Sequence, residues 1–171
     1  MTRIDTALLA VRLCFGLSMA WHGLNKMRGP RGIAGTSSWF ASIGMRKPEL
    51  NARLACATEI IAGVCFAAGF ATPLASAALI GLMVVAIVTV HWRVGYFVFL
   101  PNQGWEYCFC IAVVAGATAI SGPGTVAVDH HFAADFFGAG TWAVLAVPLG
   151  IIAALCQLSL FWRPARTEDR P

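Results

Sequence analysis

The sequence predicts an all-α integral membrane protein: an up-down four-helix transmembrane bundle with one additional C-terminal transmembrane helix. Composition, the spacing of apolar runs and the residues at their ends carry this expectation. Of 171 residues, 58% are hydrophobic and only 12% are charged, about half the charged share usual in soluble domains, and mean hydropathy is +0.73. The apolar residues fall into five runs, 6–26, 52–70, 73–92, 105–121 and 141–162. Each approaches the ~20 residues needed to cross a ~30 Å hydrocarbon layer. Tryptophan, tyrosine, lysine and arginine gather at the ends of these runs, where interfacial anchors sit.

The first run follows a short polar start, Met1-Thr2-Arg3-Ile4-Asp5, and lacks a small-residue cleavage site. It reads as a retained spanning helix and not as a signal peptide. The connector 27–51 mixes Trp39-Phe40 and Ile43-Gly44-Met45 with small polar and basic residues. It is expected to lie at the interface and cover one mouth of the bundle. Only Ala71 and Thr72 separate the second and third runs, and Pro73 suits a helix start, so these two must form a tight antiparallel pair. Pro101-Asn102-Gln103-Gly104 and Gly122-Pro123-Gly124 punctuate the fourth. The fifth holds no ionisable residue and carries Pro148 in mid-span; its expected roles are a docking surface for another subunit or plain lipid contact. Two units follow: 1–140, the bundle with its connector, and 141–171, the fifth helix with a polar tail from Arg163 that has no lipidation motif.

Lys26, Arg28, Arg31, Arg46, Lys47, Arg53, Arg93, Arg163, Arg166 and Arg170 share one side of a five-span chain, with Arg3 alone opposite. The excess of basic residues predicts a multi-pass protein of a bacterial cytoplasmic (inner) membrane, N-terminus outside and C-terminus cytoplasmic. Asp129, His130, His131 and Asp135 then face outward. Trp21, Trp39, Trp92, Tyr96, Trp105, Tyr107 and Trp162 fall at the inner interface and Trp142 at the outer.

Several functions find no support. The basic residues flank apolar runs and form no groove for nucleic acid. The six cysteines, Cys14, Cys56, Cys65, Cys108, Cys110 and Cys156, lie in apolar segments without a Cys-x-x-Cys and read as packing residues. No heme-attachment motif, phosphate loop or inverted repeat is present. His22 and His91 alone do not make a heme site, and Asp129, His130, His131 and Asp135 read as a solvated loop and not as metal ligands. No metal or heme is expected.

The informative residues are ionisable groups inside or at the rims of apolar runs: Arg12, His22, Glu59, His91 and Glu106, with Lys26 and Arg93 at the rim. A charge in hydrocarbon costs about 2.5–3.5 kcal/mol on insertion scales and marks a protein interior or a wet cavity. Alternating chain direction brings His22, Glu59, His91 and Glu106 to the same half of the bundle. Arg12 lies about 15 Å from His22 along its helix. It shares a face with Gly16, Met19, Gly23 and Lys26, on which the glycines admit a close neighbour; Arg12 is expected to reach Glu59. Such a cluster can exchange protons and hydrogen bonds beside an apolar slot, as a quinone headgroup requires. It can equally be a structural network that fixes helix packing.

The same residues carry a resemblance. Arg12-Leu13-x-x-Gly16, His22-Gly23-x-x-Lys26, Gly35-Thr36-x-x-Trp39-Phe40-x-x-Ile43-Gly44, Glu59-x-x-x-Gly63, His91-Trp92-x-x-Gly95-Tyr96-Phe97 and Gly104-Trp105-Glu106-Tyr107 occur in order, followed by Gly122-Pro123-Gly124 and Asp129-His130. This ordered set resembles the DoxX family of small bacterial membrane proteins. The resemblance implies a four-helix membrane bundle and an association with quinone-linked or redox-stress oxidoreductase complexes; it does not reach the fifth run. The expected function is a non-catalytic or co-catalytic membrane subunit holding a quinone-like ligand. In it His22 and His91 would bond the headgroup, Glu59 and Glu106 would relay protons, and Arg12 would set the charge of Glu59. The alternative is a membrane assembly factor or scaffold. Expected partners are the bilayer, redox-enzyme subunits or further copies of the chain, and no nucleic acid.

Overall fold

The computed structural model describes residues 1–132 and 141–164. Asp135, Arg166 and Arg170, placed by charge counting above, lie outside the described residues. The fold is all-helical. Helix α1 spans Arg3–Arg28, α2 Gly32–Ser42, α3 Pro48–Ala68 and α4 Thr72–Ala86, which runs on into a π-helical turn at Ile87–His91. They are followed by α5 at Glu106–Ser121, a single short turn α6 at Val128–Phe132, and α7 at Thr141–Phe161.

Local chemistry sets the boundaries. Thr2 and Asp5 form a capping box that starts α1 earlier than the apolar run suggests, with Thr2 N–H donating to Asp5 Oδ2 at 2.7 Å. Pro48 occupies the first turn of α3, which ends at Gly69 with φ +66°, a left-handed terminus that glycine takes without strain. The α4 start is capped from far along the chain. Asp129 Oδ1 accepts from Ala71 N–H at 2.7 Å, and Oδ2 accepts from Thr72 N–H at 2.8 Å and the Thr72 hydroxyl at 2.7 Å. Asp129 is therefore buried at a positive helix end and is not part of a solvated loop. Helix α5 is shorter than a full span, about 24 Å, because the preceding loop folds back to bond Glu106 N–H to the Tyr96 carbonyl at 2.9 Å.

Helices α1 and α3 pack along their lengths. A side chain at Gly16 would meet the Gly63 carbonyl oxygen at 2.5 Å, and one at Gly63 would meet the Gly16 oxygen at 2.6 Å. The two backbones touch. The central helix is α4, which packs on α3, α5 and α7, while α1 scarcely touches α5. The last helix packs on α4 along one face. Gly150 sits against the Ala77 carbonyl of α4, and Trp162 at the end of α7 donates its indole N–H to Ile43 O at 3.0 Å. Arg46 N–H donates to Phe161 O at 2.6 Å and Arg163 N–H to Gly44 O at 2.8 Å. The end of α7 thereby fixes the chain between α2 and α3.

The core is Phe66, Leu79, Met19, Met83, Ala62 and Ala115. Ile4, Leu17, Ile61, Val64, Ile120, Val144, Ile152 and Leu160 face outward, an apolar belt that places the protein in contact with lipid. Alternation of the long helices collects Lys26, Arg28, Arg46, Lys47, Arg53, Arg93 and Arg163 at one end, called here the basic end.

The α1–α3 contact has no flexible atoms to yield. Gly63→Val is expected to destabilise the protein by about 1–3 kcal/mol, in the range for overpacking, while Val64→Ala on the outward face stays near wild type. Thermal unfolding in mild detergent measures both.

Candidate functional site

Gly23, one turn before the end of α1, lies against the Cys56 carbonyl and the Glu59 Cβ of α3. That approach leaves Lys26, three residues on, beside Glu59, and Lys26 Nζ donates to Glu59 Oε1 in an ion pair. Glu59 is 3% exposed, and its Oε2 has no hydrogen-bond partner. Arg12 Nε and Ser76 Oγ are likewise unpartnered among the described residues, but of the three only Glu59 lines the cavity at the basic half of the bundle.

The cavity encloses about 200 Å³ at the basic half of the bundle, more than the ~150 Å³ that holds a benzene ring in an engineered core. Met19, His22 and Lys26 line it from α1, Glu59 from α3, Met83 from α4 and Ile111 from α5. Trp39 and Phe40 of α2, with Ile43, close it at the basic end. Gln157 reaches it from α7, donating to Asn51 Oδ1 at 3.0 Å.

His91 enters through the π turn, a widening of the helix that recurs at functional positions. Its Nδ1 lies 2.7 Å from the Gln103 carbonyl oxygen. A carbonyl only accepts, so Nδ1 carries hydrogen, and in the imidazole tautomer with hydrogen on Nδ1 the other nitrogen, Nε2, is an acceptor. The Tyr107 hydroxyl, 2.7 Å away, then donates to it, and Tyr107 is among the residues that line the cavity. Asn102 and Gln103 both adopt left-handed backbone, φ +70° and +58°, an uncommon pair for non-glycine residues, in the turn that supplies this carbonyl.

The structure gathers His22, Lys26, Glu59 and His91 and leaves out the other two expected members. Arg12 does not reach Glu59. It is fully buried at the far end of α3, where it donates to the Ala67 carbonyl at 3.2 Å and to the Val126 carbonyl. The physical reason is length. Glu59 and Ala67 are eight residues apart, about 12 Å along the helix, and the last carbonyls of α3 are the nearer acceptors. Glu106 faces the loop side of α5, its Oε2 accepting from Val98 N–H at 3.1 Å; the next residue, Tyr107, is turned 100° and takes the inward position. Sequence reasoning placed Tyr107 as an interfacial aromatic and did not single out Gln157. The i, i+4 pairing of Tyr107 with Ile111 was the available signal.

His22 is exposed where α1 and α5 part. With Cys14, Phe15, Ser18, Glu106 and Cys110 it also lines an outward-facing groove between those helices, which shares Met19, His22, Tyr107 and Ile111 with the cavity. Both ring nitrogens of His91 are engaged in hydrogen bonds, to Gln103 O and to the Tyr107 hydroxyl. Asp129 is committed to the α4 terminus, and no three His, Cys, Asp or Glu side chains gather as a metal-ligand set among the described residues.

The DoxX family model matches residues 7–92, from the first helix through the π turn. The chain belongs to the DoxX family. A protein of Bacillus subtilis (strain 168) named "Putative oxidoreductase CatD" is 29% identical over 121 residues, covering 71% of this chain and 83% of that one. No solved structure matches. The family match takes in His22, Lys26, Glu59 and His91 and stops before Tyr107.

Lys26→Met strands the Glu59 carboxylate and is expected to cost about 3 kcal/mol, the low end for breaking a buried pair because Lys26 is partly exposed. Lys26→Met/Glu59→Met is expected to recover most of that loss. A double-mutant cycle by thermal unfolding reads the coupling directly.

Proposed function

We propose that this protein is a membrane subunit of a quinone-linked oxidoreductase system and holds a quinone-like, lipid-soluble ring in the cavity at Glu59. The observation that carries this reading is Glu59, a buried carboxylate with one oxygen lacking a partner among the described residues, in the lining of a cavity of ring size. A buried acceptor left unmade costs about 1–3 kcal/mol, a loss that a bound ligand offsets. The name of the Bacillus subtilis relative supports redox work in general.

The residues present fit such a ring. When bound, a quinone supplies reversible two-electron, two-proton chemistry. Met19, Phe40, Met83 and Ile111 form an apolar slot, and Lys26 and His22 offer donors. Glu59 Oε2 would take a proton from the ring, and the Tyr107–His91 pair holds one between Tyr107 O and His91 Nε2. Trp39 and Phe40 keep water from the ring at the basic end. The seam between α1 and α5 gives a tailed ligand a path from lipid, with His22 at its threshold. The protein sits in the bacterial cytoplasmic membrane with the basic end inside, as the placement of Lys and Arg favours.

Solvent extraction of protein purified in mild detergent, followed by mass spectrometry, is expected to yield an isoprenoid-tailed quinone near one per chain. His22→Ala and Glu59→Gln are expected to lower retention at least about tenfold, equivalent to ~1.4 kcal/mol each, with helix content unchanged by circular dichroism. An extract free of lipid-soluble rings, or variants that retain the ligand fully, overturns the reading.

A further inference from the structure

Resting on that reading, the hydrogen-bond inventory of the cavity points to a more specific ligand. We propose that the site selects its ligand by a ring hydroxyl that donates to Glu59, a phenol- or quinol-type ring in preference to one bearing carbonyls or ethers alone.

The inventory is unbalanced toward acceptors. Glu59 offers Oε2, buried and without a partner, while Oε1 holds Lys26. Tyr107 has committed its one hydrogen to His91 Nε2, because His91 Nδ1–H is held by the Gln103 carbonyl. The tyrosine oxygen can then only accept from any further partner. The one unmet buried polar atom among the lining residues, Glu59 Oε2, needs a donor. The donors are Lys26, partly exposed and bonded to Glu59, His22 on the seam, and the Gln157 amide, one of whose hydrogens goes to Asn51.

A hydroxyl satisfies this arrangement and a carbonyl does not. Its hydrogen goes to the free Glu59 oxygen, and its own oxygen can accept one of the remaining Lys26 hydrogens. A carbonyl or ether oxygen could take the Lys26 hydrogen, but it would leave Glu59 Oε2 unpaired in a buried setting. The terminal torsion of glutamate is broad and roughly two-fold, so one oxygen can turn to the ligand while the other keeps Lys26. Sites that hydrogen-bond a hydroxyl reject analogues lacking it far more strongly than apolar slots reject a missing methylene.

The test uses two probes, 4-pentylphenol and its methyl ether, in which the O–H donor is replaced by a methoxy group; Glu59 variants separate loss of the donor from the added methyl. Binding to the purified full chain is measured by equilibrium dialysis, corrected for partition into protein-free micelles. The phenol is expected to bind at least about tenfold more tightly than the ether. In Glu59→Met, and in Lys26→Met/Glu59→Met should the single variant fail to fold, the preference is expected to fall to within about twofold. Equal binding of both probes to the wild-type protein overturns the hydroxyl selection and leaves the ring-binding reading intact. A preference that persists in the double variant overturns the assignment to Glu59. Neither probe binding above the micelle background overturns both the selection and the reading beneath it.

Discussion

The backbone contact between α1 and α3 governs the rest of the structure. Gly16 and Gly63 remove the side chains that would hold the helices apart, and Gly23 extends the contact toward the basic end. A contact this close fixes the relative register of the two helices, and register decides where the cations of α1 fall. Arg12 and Lys26 stand on the same face of α1, two glycines between them. Arg12 meets the last carbonyls of α3, and Lys26 meets its one buried carboxylate. In hydrocarbon either cation alone would be costly. Paired with fixed partners, both fix the register that the glycines permit.

At the end opposite the basic loops this pairing extends into a continuous polar clasp. Asp5 accepts from Thr125 N–H at 2.9 Å, Arg12 bonds Val126 O, and Asp129 caps α4, so one short loop ties α1, α3 and α4 together. That end is closed. At the basic end α1 and α5 diverge, α2 roofs the gap, and the end of α7 holds the chain that follows α2 through the bonds to Ile43, Gly44 and Arg46. The cavity lies there because four helices supply its walls while one seam between them is left unpacked. An end tied by hydrogen bonds across three helices and an open end with an unmet acceptor suit a ligand site, since the first positions the second.

Much of this was legible in the residues. The apolar runs gave the helices, because length and hydropathy are decided locally. The glycine face of α1 was readable from its i, i+4, i+7 spacing, and alternation of direction placed His22, Glu59 and His91 at one level. The partners were harder to read. Arg12 and Lys26 are equally good candidates for Glu59 by charge, and a shift of two helical turns decides between them; only the α1–α3 register supplies it. Glu106 stood out because it is charged, whereas the inward position belongs to its neighbour Tyr107, whose direction depends on where the preceding loop lets α5 begin. Asp129 looked like a loop residue because its cap is made 58 residues away. Gln157 carries no charge and lies on a helix that composition alone could not dock.

The most direct measurement is an experimental structure of the protein extracted with its native lipid, refined to a resolution that separates a ring from an acyl chain. The account predicts density for a flat ring against Glu59 and Tyr107, continuing between α1 and α5 past His22 into the lipid belt. A cavity filled by its own methionine and phenylalanine side chains, with both Glu59 oxygens bonded to protein and the seam closed, would contradict it.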